Sequence, residues 1–95
     1  MHVYILYSEK LDRFYIGQTA LSPSERLQEH NNARNDGSFS TRGIPWSLFL
    51  AIACQSRDQA RGLERHIKKM KSPAYIRNLK AYPEMRERLL RRYQD

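Results

Sequence analysis

Two phenols, a guanidinium and an imidazole are spaced in the first third of the chain so that they can meet: Tyr4, Tyr15, Arg26 and His30. Arg26 and His30 stand four apart, which on a helix puts both on one face. A guanidinium is a planar, permanently charged fork suited to anionic oxygens. An imidazole or a phenol can move a proton. A free phenol, with pKa about 10, is a poor base at neutral pH unless a nearby cation lowers that value. Taken singly, both tyrosines read better as strand packing and His30 better as a surface histidine. A fifth group, Glu64, interrupts the apolar stripe Ala60, Leu63, Ile67 and Met70. A carboxylate there is costly unless it is paired, hydrogen-bonded or metal-bound. Lys68, four residues on, is the simplest partner.

These side chains need elements to hold them. Val3–Tyr7 and Phe14–Ile16 are short, apolar on both parities, and predict strands with two covered faces, joined as a hairpin through the polar connector Glu9 to Arg13. Gly17 lets another group come close to the second strand. Ser22-Pro23, with Glu25 three residues after the serine, predicts a helix start with a capping box. Asn31 to Gly43 reads as a long surface loop. Trp46 to Cys54 predicts a third strand, with Trp46, Leu48, Leu50 and Ile52 on one parity and Phe49, Ala51 and Ala53 on the other. Ser56 with Gln59 marks a second helix, and Ser72-Pro73 a short third through about Leu79. A last helix opens at Tyr82-Pro83, burying Tyr82, Met85, Leu89 and Tyr93 and presenting Arg86, Arg88, Arg91 and Arg92 on its other faces.

The chain has 95 residues, 17 Lys+Arg against 10 Asp+Glu, a formal charge of +7 and a sequence pI near 9.9. That length is one domain with a single modest core. The charge favours a polyanionic partner, nucleic acid before an anionic membrane surface, although a basic surface also serves solubility. The longest apolar run, Leu48 to Cys54, is too short to span a bilayer. No charged-then-apolar leader precedes Tyr4, so a cytoplasmic protein is expected. The one cysteine, Cys54, cannot form an internal disulfide and reads as a buried thiol.

With those residues in view the sequence resembles the GIY-YIG nuclease domain family. Tyr4, in His2-Val3-Tyr4, stands where the family has the tyrosine of its first triplet; only that tyrosine is kept. Tyr15-Ile16-Gly17 is the second triplet as it stands. Arg26 and His30 match the arginine and histidine of the following helix, and Glu64 the acidic residue of the later one. Asn78 is the nearest candidate for the late asparagine of some members, but its surroundings do not match. Phe39 to Trp46 is similar to the corresponding loop of small stand-alone bacterial members and of structure-specific junction nucleases, and the resemblance extends to the N-terminal domain of the excision-repair nuclease.

The resemblance implies an α+β fold, a small three-stranded antiparallel sheet flanked by helices in the order ββαβαα with an extra C-terminal helix. It implies a single domain over 1–95, with a core of about 3–71 and a helical extension of about 72–95. It also implies hydrolysis of phosphodiester bonds with one divalent cation, Mg2+ or Mn2+, on Glu64. Tyr4 then becomes general base or water-positioner, with Tyr15 and His30 supporting it, and the three are not separated at this level. Thr41, Arg42, Lys68, Lys69 and Lys71 are expected to track the DNA backbone without reading bases. Branched or flapped DNA in repair or recombination is the expected substrate. The competing readings are a non-catalytic nucleic-acid-binding module and a nuclease subunit that needs a partner. The last helix is the expected dock for such a partner or for a second copy.

Overall fold

In the computed structural model, residues 1–32 and 39–94 are described, and the middle of the predicted 31–43 loop lies outside them. Strands β1 (His2–Ser8), β2 (Arg13–Thr19) and β3 (Trp46–Ala53) form an antiparallel sheet in the order β2-β1-β3. Helices α1 (Pro23–Asn31), α2 (Phe39–Arg42), α3 (Arg57–Met70), α4 (Pro73–Ala81) and α5 (Pro83–Arg92) surround it. The fold is the expected α+β arrangement; α2, a single turn, is the addition, inside what reads from sequence as loop. No helix among the described residues is long and apolar enough to cross a membrane.

The central position of β1 explains its composition. Val3, Tyr4, Ile5 and Leu6 are all essentially inaccessible, so both parities are buried. Val3 and Ile5 point to the face covered by Ala60, Leu63 and Ile67 of α3, with Ile76, Leu79 and Leu89 behind them. Tyr4 and Leu6 point to the opposite face, with Trp46, Tyr15, Ile44 and Leu27 of α1. Removing one of the buried leucines, Leu63→Ala for instance, costs about 2–5 kcal/mol.

The expected single parity of β3 does not hold. Ile5 pairs with Leu50 but Leu6 pairs with Leu48, so Phe49 is an extra residue in the ladder. A bulge of this kind reverses the facing of the strand beyond it. Trp46 therefore lies on the α1 side and Ile52 on the α3 side. Phe49 itself meets the Phe14 ring edge-on at 5.0 Å.

Three serines begin helices as their positions predict. Ser22 Oγ accepts the Glu25 amide, Ser56 Oγ that of Gln59 and Ser72 Oγ that of Tyr75. Gln59 does more than a capping box requires. Its side chain accepts the Gln55 amide at 2.6 Å and donates to Leu90 O at 2.9 Å, tying α3 to α5. Met70, placed in the buried stripe by periodicity, is 45% exposed because α3 ends there, at Lys71 in the left-handed conformation. Tyr82 is likewise half exposed, standing at the junction of α4 and α5 rather than on the buried side of α5.

One polar cluster joins the C-terminal helices to α3. His66 Nε2 lies 3.1 Å from the Tyr75 hydroxyl and Nδ1 lies 3.2 Å from the Tyr93 hydroxyl. Tyr93 also covers Gly62, where a Cβ would stand 2.6 Å from Tyr93 Cδ1. Burial, then the charges of Arg92 and Lys69, hold the His66 imidazole below its usual pKa. Protonation is thus easier in the unfolded chain, and this contribution to stability is present above the ordinary imidazole range and lost as pH falls through the folded value. His30 titrates in the same sense. His66→Gln, which still offers a donor and an acceptor, should show a shallower fall in Tm between pH 7.5 and 5 than the native protein. Parallel thermal melts of the two would refute the linkage.

Candidate active site

Tyr4 sits in the middle of the central strand with its hydroxyl at the centre of the predicted set. Arg26 Nε donates to it at 3.3 Å, and His30 Nε2 lies 3.1 Å away. One turn of α1 supplies both groups, as the spacing requires. The Tyr15 ring is stacked on that of Tyr4, with centroids 6.3 Å apart and planes at 20°, and meets His30 edge-on at 4.7 Å. Trp46 closes the aromatic group against Tyr15 at 6.0 Å.

The partner of Tyr4 across the hairpin is Gly17. A Cβ at that position would lie 2.6 Å from Tyr4 Cζ. The glycine of the Tyr15-Ile16-Gly17 triplet is therefore a steric requirement of the Tyr4 ring.

His30 is only 7% exposed, contrary to the surface histidine that its sequence context suggests. Its burial, reinforced by the Arg26 charge and opposed by Glu29, pushes its pKa down. The imidazole is neutral at physiological pH. Tyr4 shifts the other way from the expectation that a cation would lower it. Burial raises its pKa, and the Arg26 hydrogen bond and charge only partly offset this; the charges of Tyr15 and Glu64 add to the rise. A protonated phenol whose oxygen already accepts from Arg26 has one proton left to place, and the neutral Nε2 accepts it. The hydrogen-bond network thus assigns the hydroxyl as donor to His30 Nε2.

Glu64 lies on α3, and its charge reaches the Tyr4 hydroxyl. Lys68 Nζ is 2.8 Å from Glu64 Oε2, so the expected i,i+4 pair forms. The carboxylate side chain is only 17% exposed against 55% for the lysine, so the acid is set back and the cation lies nearer solvent. The cleft before Glu64 is lined by Arg61, Arg65, Lys68 and Lys69. Among the described residues no group of three or more His, Cys, Asp or Glu could hold a metal ion. A hard cation that takes one carboxylate oxygen and completes its shell with water and phosphate oxygens fits this donor set.

The structure brings Tyr4, Tyr15, Arg26 and His30 into one group, with Glu64 within electrostatic reach. Thr41 and Arg42 lie on α2 beside α1. Lys69 and Lys71 are exposed at the end of α3. Two supporting residues escape the sequence reading. Glu29 pairs with Arg26 Nη1, and the i,i+3 spacing signals that contact. Asn31 accepts the Trp46 amide at 2.7 Å and donates to Trp46 O at 3.0 Å, pinning the start of β3 to the end of α1. Nothing local announces that pairing, which spans fifteen residues.

This small antiparallel sheet, with a tyrosine on its central strand held by a guanidinium and an imidazole from one helix, defines a catalytic domain class. A family model, the GIY-YIG catalytic domain, matches residues 1–79, and the chain belongs to that family. The family is one of endonucleases acting on DNA, so at family level this is a nuclease domain. The match ends within α4 and leaves α5 outside it. Comparison with curated proteins and with solved structures gave no match.

Proposed function

We propose that this protein is a divalent-metal-dependent endonuclease that hydrolyses DNA phosphodiesters at the Tyr4 hydroxyl, with branched or flapped DNA as substrate. The observation that carries the reading is the Tyr4 oxygen between Arg26 Nε at 3.3 Å and His30 Nε2 at 3.1 Å. In the reaction, water attacks phosphorus while its proton passes to the Tyr4 oxygen and the Tyr4 proton passes to His30 Nε2. A phosphorus–oxygen bond of the backbone breaks, and the leaving oxygen takes a proton from solvent. This relay lets a phenol of raised pKa act without becoming a free phenolate. Arg26 stabilises the negative charge that grows on the Tyr4 oxygen, and its Nη1, held by the exposed Glu29, is within reach of exchange for a phosphate oxygen. Glu64 would hold the cation, Mg2+ or Mn2+, which when bound supplies charge neutralisation at the phosphate.

The reading is tested by incubating the purified protein with single-stranded, duplex and branched DNA in Mg2+ or in EDTA. Cleavage in Mg2+ and none in EDTA is expected, fastest on the branched substrate. Binding without cleavage under every condition would instead favour a non-catalytic DNA-binding module.

Lys68 and Lys69 on this reading meet phosphates. Log affinity for duplex DNA should fall linearly with log salt, by about 0.9 for each phosphate neutralised. Replacing both lysines by alanine should flatten the slope by roughly 1–2 and weaken all sequences alike. A salt slope equal to that of the native protein would take this end of α3 out of the footprint.

A further inference from the structure

A second cleft opens where the outer edge of β2 faces the junction of α3 and α4, and it has a volume of about 460 Å³. Its rim is cationic: Arg13 from β2, Lys68 and Lys71 from the end of α3, and Arg77 from α4. The one carboxylate there, Asp12, already accepts the Tyr7 hydroxyl at 2.6 Å. The floor is apolar, built by Phe14 and Ile76 among others. The Arg77 guanidinium stands over the Phe14 ring, 5.4 Å from its centroid.

The two halves of this lining ask for different parts of one ligand. Arg13, Lys71 and Arg77, with Lys68 already paired to Glu64, suit phosphates; an apolar floor with a guanidinium over an aromatic ring suits the face of a base. In a duplex those faces are hidden in the stack, so only an unpaired nucleotide offers both. Lys68 lines both this cleft and the surface before Glu64, so the two share one side chain as their border.

We propose that the β2–α4 cleft seats an unpaired stretch of the DNA strand whose neighbouring phosphodiester lies at Glu64. The inference rests on the nuclease reading and deepens it: the substrate class becomes duplex with an adjoining single-stranded segment, and the cleft recognises that segment. Arg13 and Arg77 are its specificity residues, one holding phosphate and the other phosphate and base.

The test is fluorescence anisotropy in EDTA, so that no catalysis is involved, with a blunt duplex and the same duplex carrying a short single-stranded tail of either polarity. The native protein should bind one tailed form about tenfold more tightly than the blunt one, as expected when one base stacks. In the double variant Arg13→Ala, Arg77→Ala that ratio should fall to about one. Both side chains are exposed, so the fold is expected to hold; thermal melts check this. Arg77→Lys, which keeps the charge without the plane, should give an intermediate ratio. Equal native affinity for tailed and blunt DNA, or a ratio retained in the double variant, would overturn the proposal. A native protein that cuts blunt duplex in Mg2+ yet shows no tail preference would sink the cleft and leave the nuclease reading standing. One that binds no DNA would remove both.

Discussion

Glu64→Gln should lose metal-dependent cleavage, by about 10³-fold or more, while binding DNA as tightly as the native protein or more so. Charge neutralisation by a bound metal ion is worth several kcal/mol in the transition state, and each 1.36 kcal/mol is a factor of ten. The amide keeps the shape of the carboxylate but gives a cation no charge to bind. It also removes a negative group from a cleft lined by Arg61, Arg65, Lys68 and Lys69, so phosphate meets less repulsion. The structural cost is small, because the lost i,i+4 pair with Lys68 contributes less than about 0.5 kcal/mol. If Glu64 serves only as the partner of Lys68, the variant will melt within a few degrees of the native protein and cleave at the native rate in Mg2+. That second outcome would remove the metal from Glu64 and the proposed chemistry with it.

Tyr4→Phe should lower the cleavage rate about 10²–10⁴-fold, the range for losing a positioned proton-transfer group. The ring stays in its slot against Tyr15 and above Gly17. What goes is the oxygen between Arg26 and His30, and with it the path of the proton. Losing its hydrogen bonds in the interior costs about 0.5–1.5 kcal/mol each, so Tm should fall by several degrees without loss of the fold. The native pH profile carries a matching signature. His30 must be neutral to receive the proton, and its burial and Arg26 push its pKa down. The acid limb of the rate should therefore lie below the ordinary imidazole range, with activity kept at pH values where a free histidine would be charged. Native-like rates from Tyr4→Phe at every pH would return Tyr4 to a packing role.

Much of this was legible from residue types because the signals are local. Serine caps at 22, 56 and 72 work through the next three residues, and the Arg26–His30 pairing depends only on helical spacing. The Tyr15-Ile16-Gly17 triplet announced a close approach at Gly17, though not which group approaches. Where the reading failed, the cause is long-range. The bulge at Phe49 depends on the register with β1, so parity counting put Trp46 and Ile52 on one face when they occupy two. His30 is buried by Tyr4 and Tyr15, both distant in sequence, and its neutrality follows from that burial. Tyr4 was expected to be acidified by its guanidinium neighbour; desolvation by the surrounding sheet proved the larger effect. Tyr82 and Met70 fit an apolar period but fall at helix ends, where period no longer determines facing.

The Tyr4–Gly17 pairing has a consequence for how freely the chain can be altered. A hairpin shifted by two residues would keep its inward and outward faces, but it would set Tyr15 or Thr19 opposite Tyr4 and offer the ring no space. Only one alignment of β1 with β2 admits the phenol, so the glycine acts as a key that rejects misaligned hairpins. The connecting residues add their own constraint on the same alignment, the Leu11 amide donating to Ser8 Oγ and the Tyr7 hydroxyl to Asp12. Deletion of a single residue inside β2 would move Gly17 away from the ring and discard that alignment.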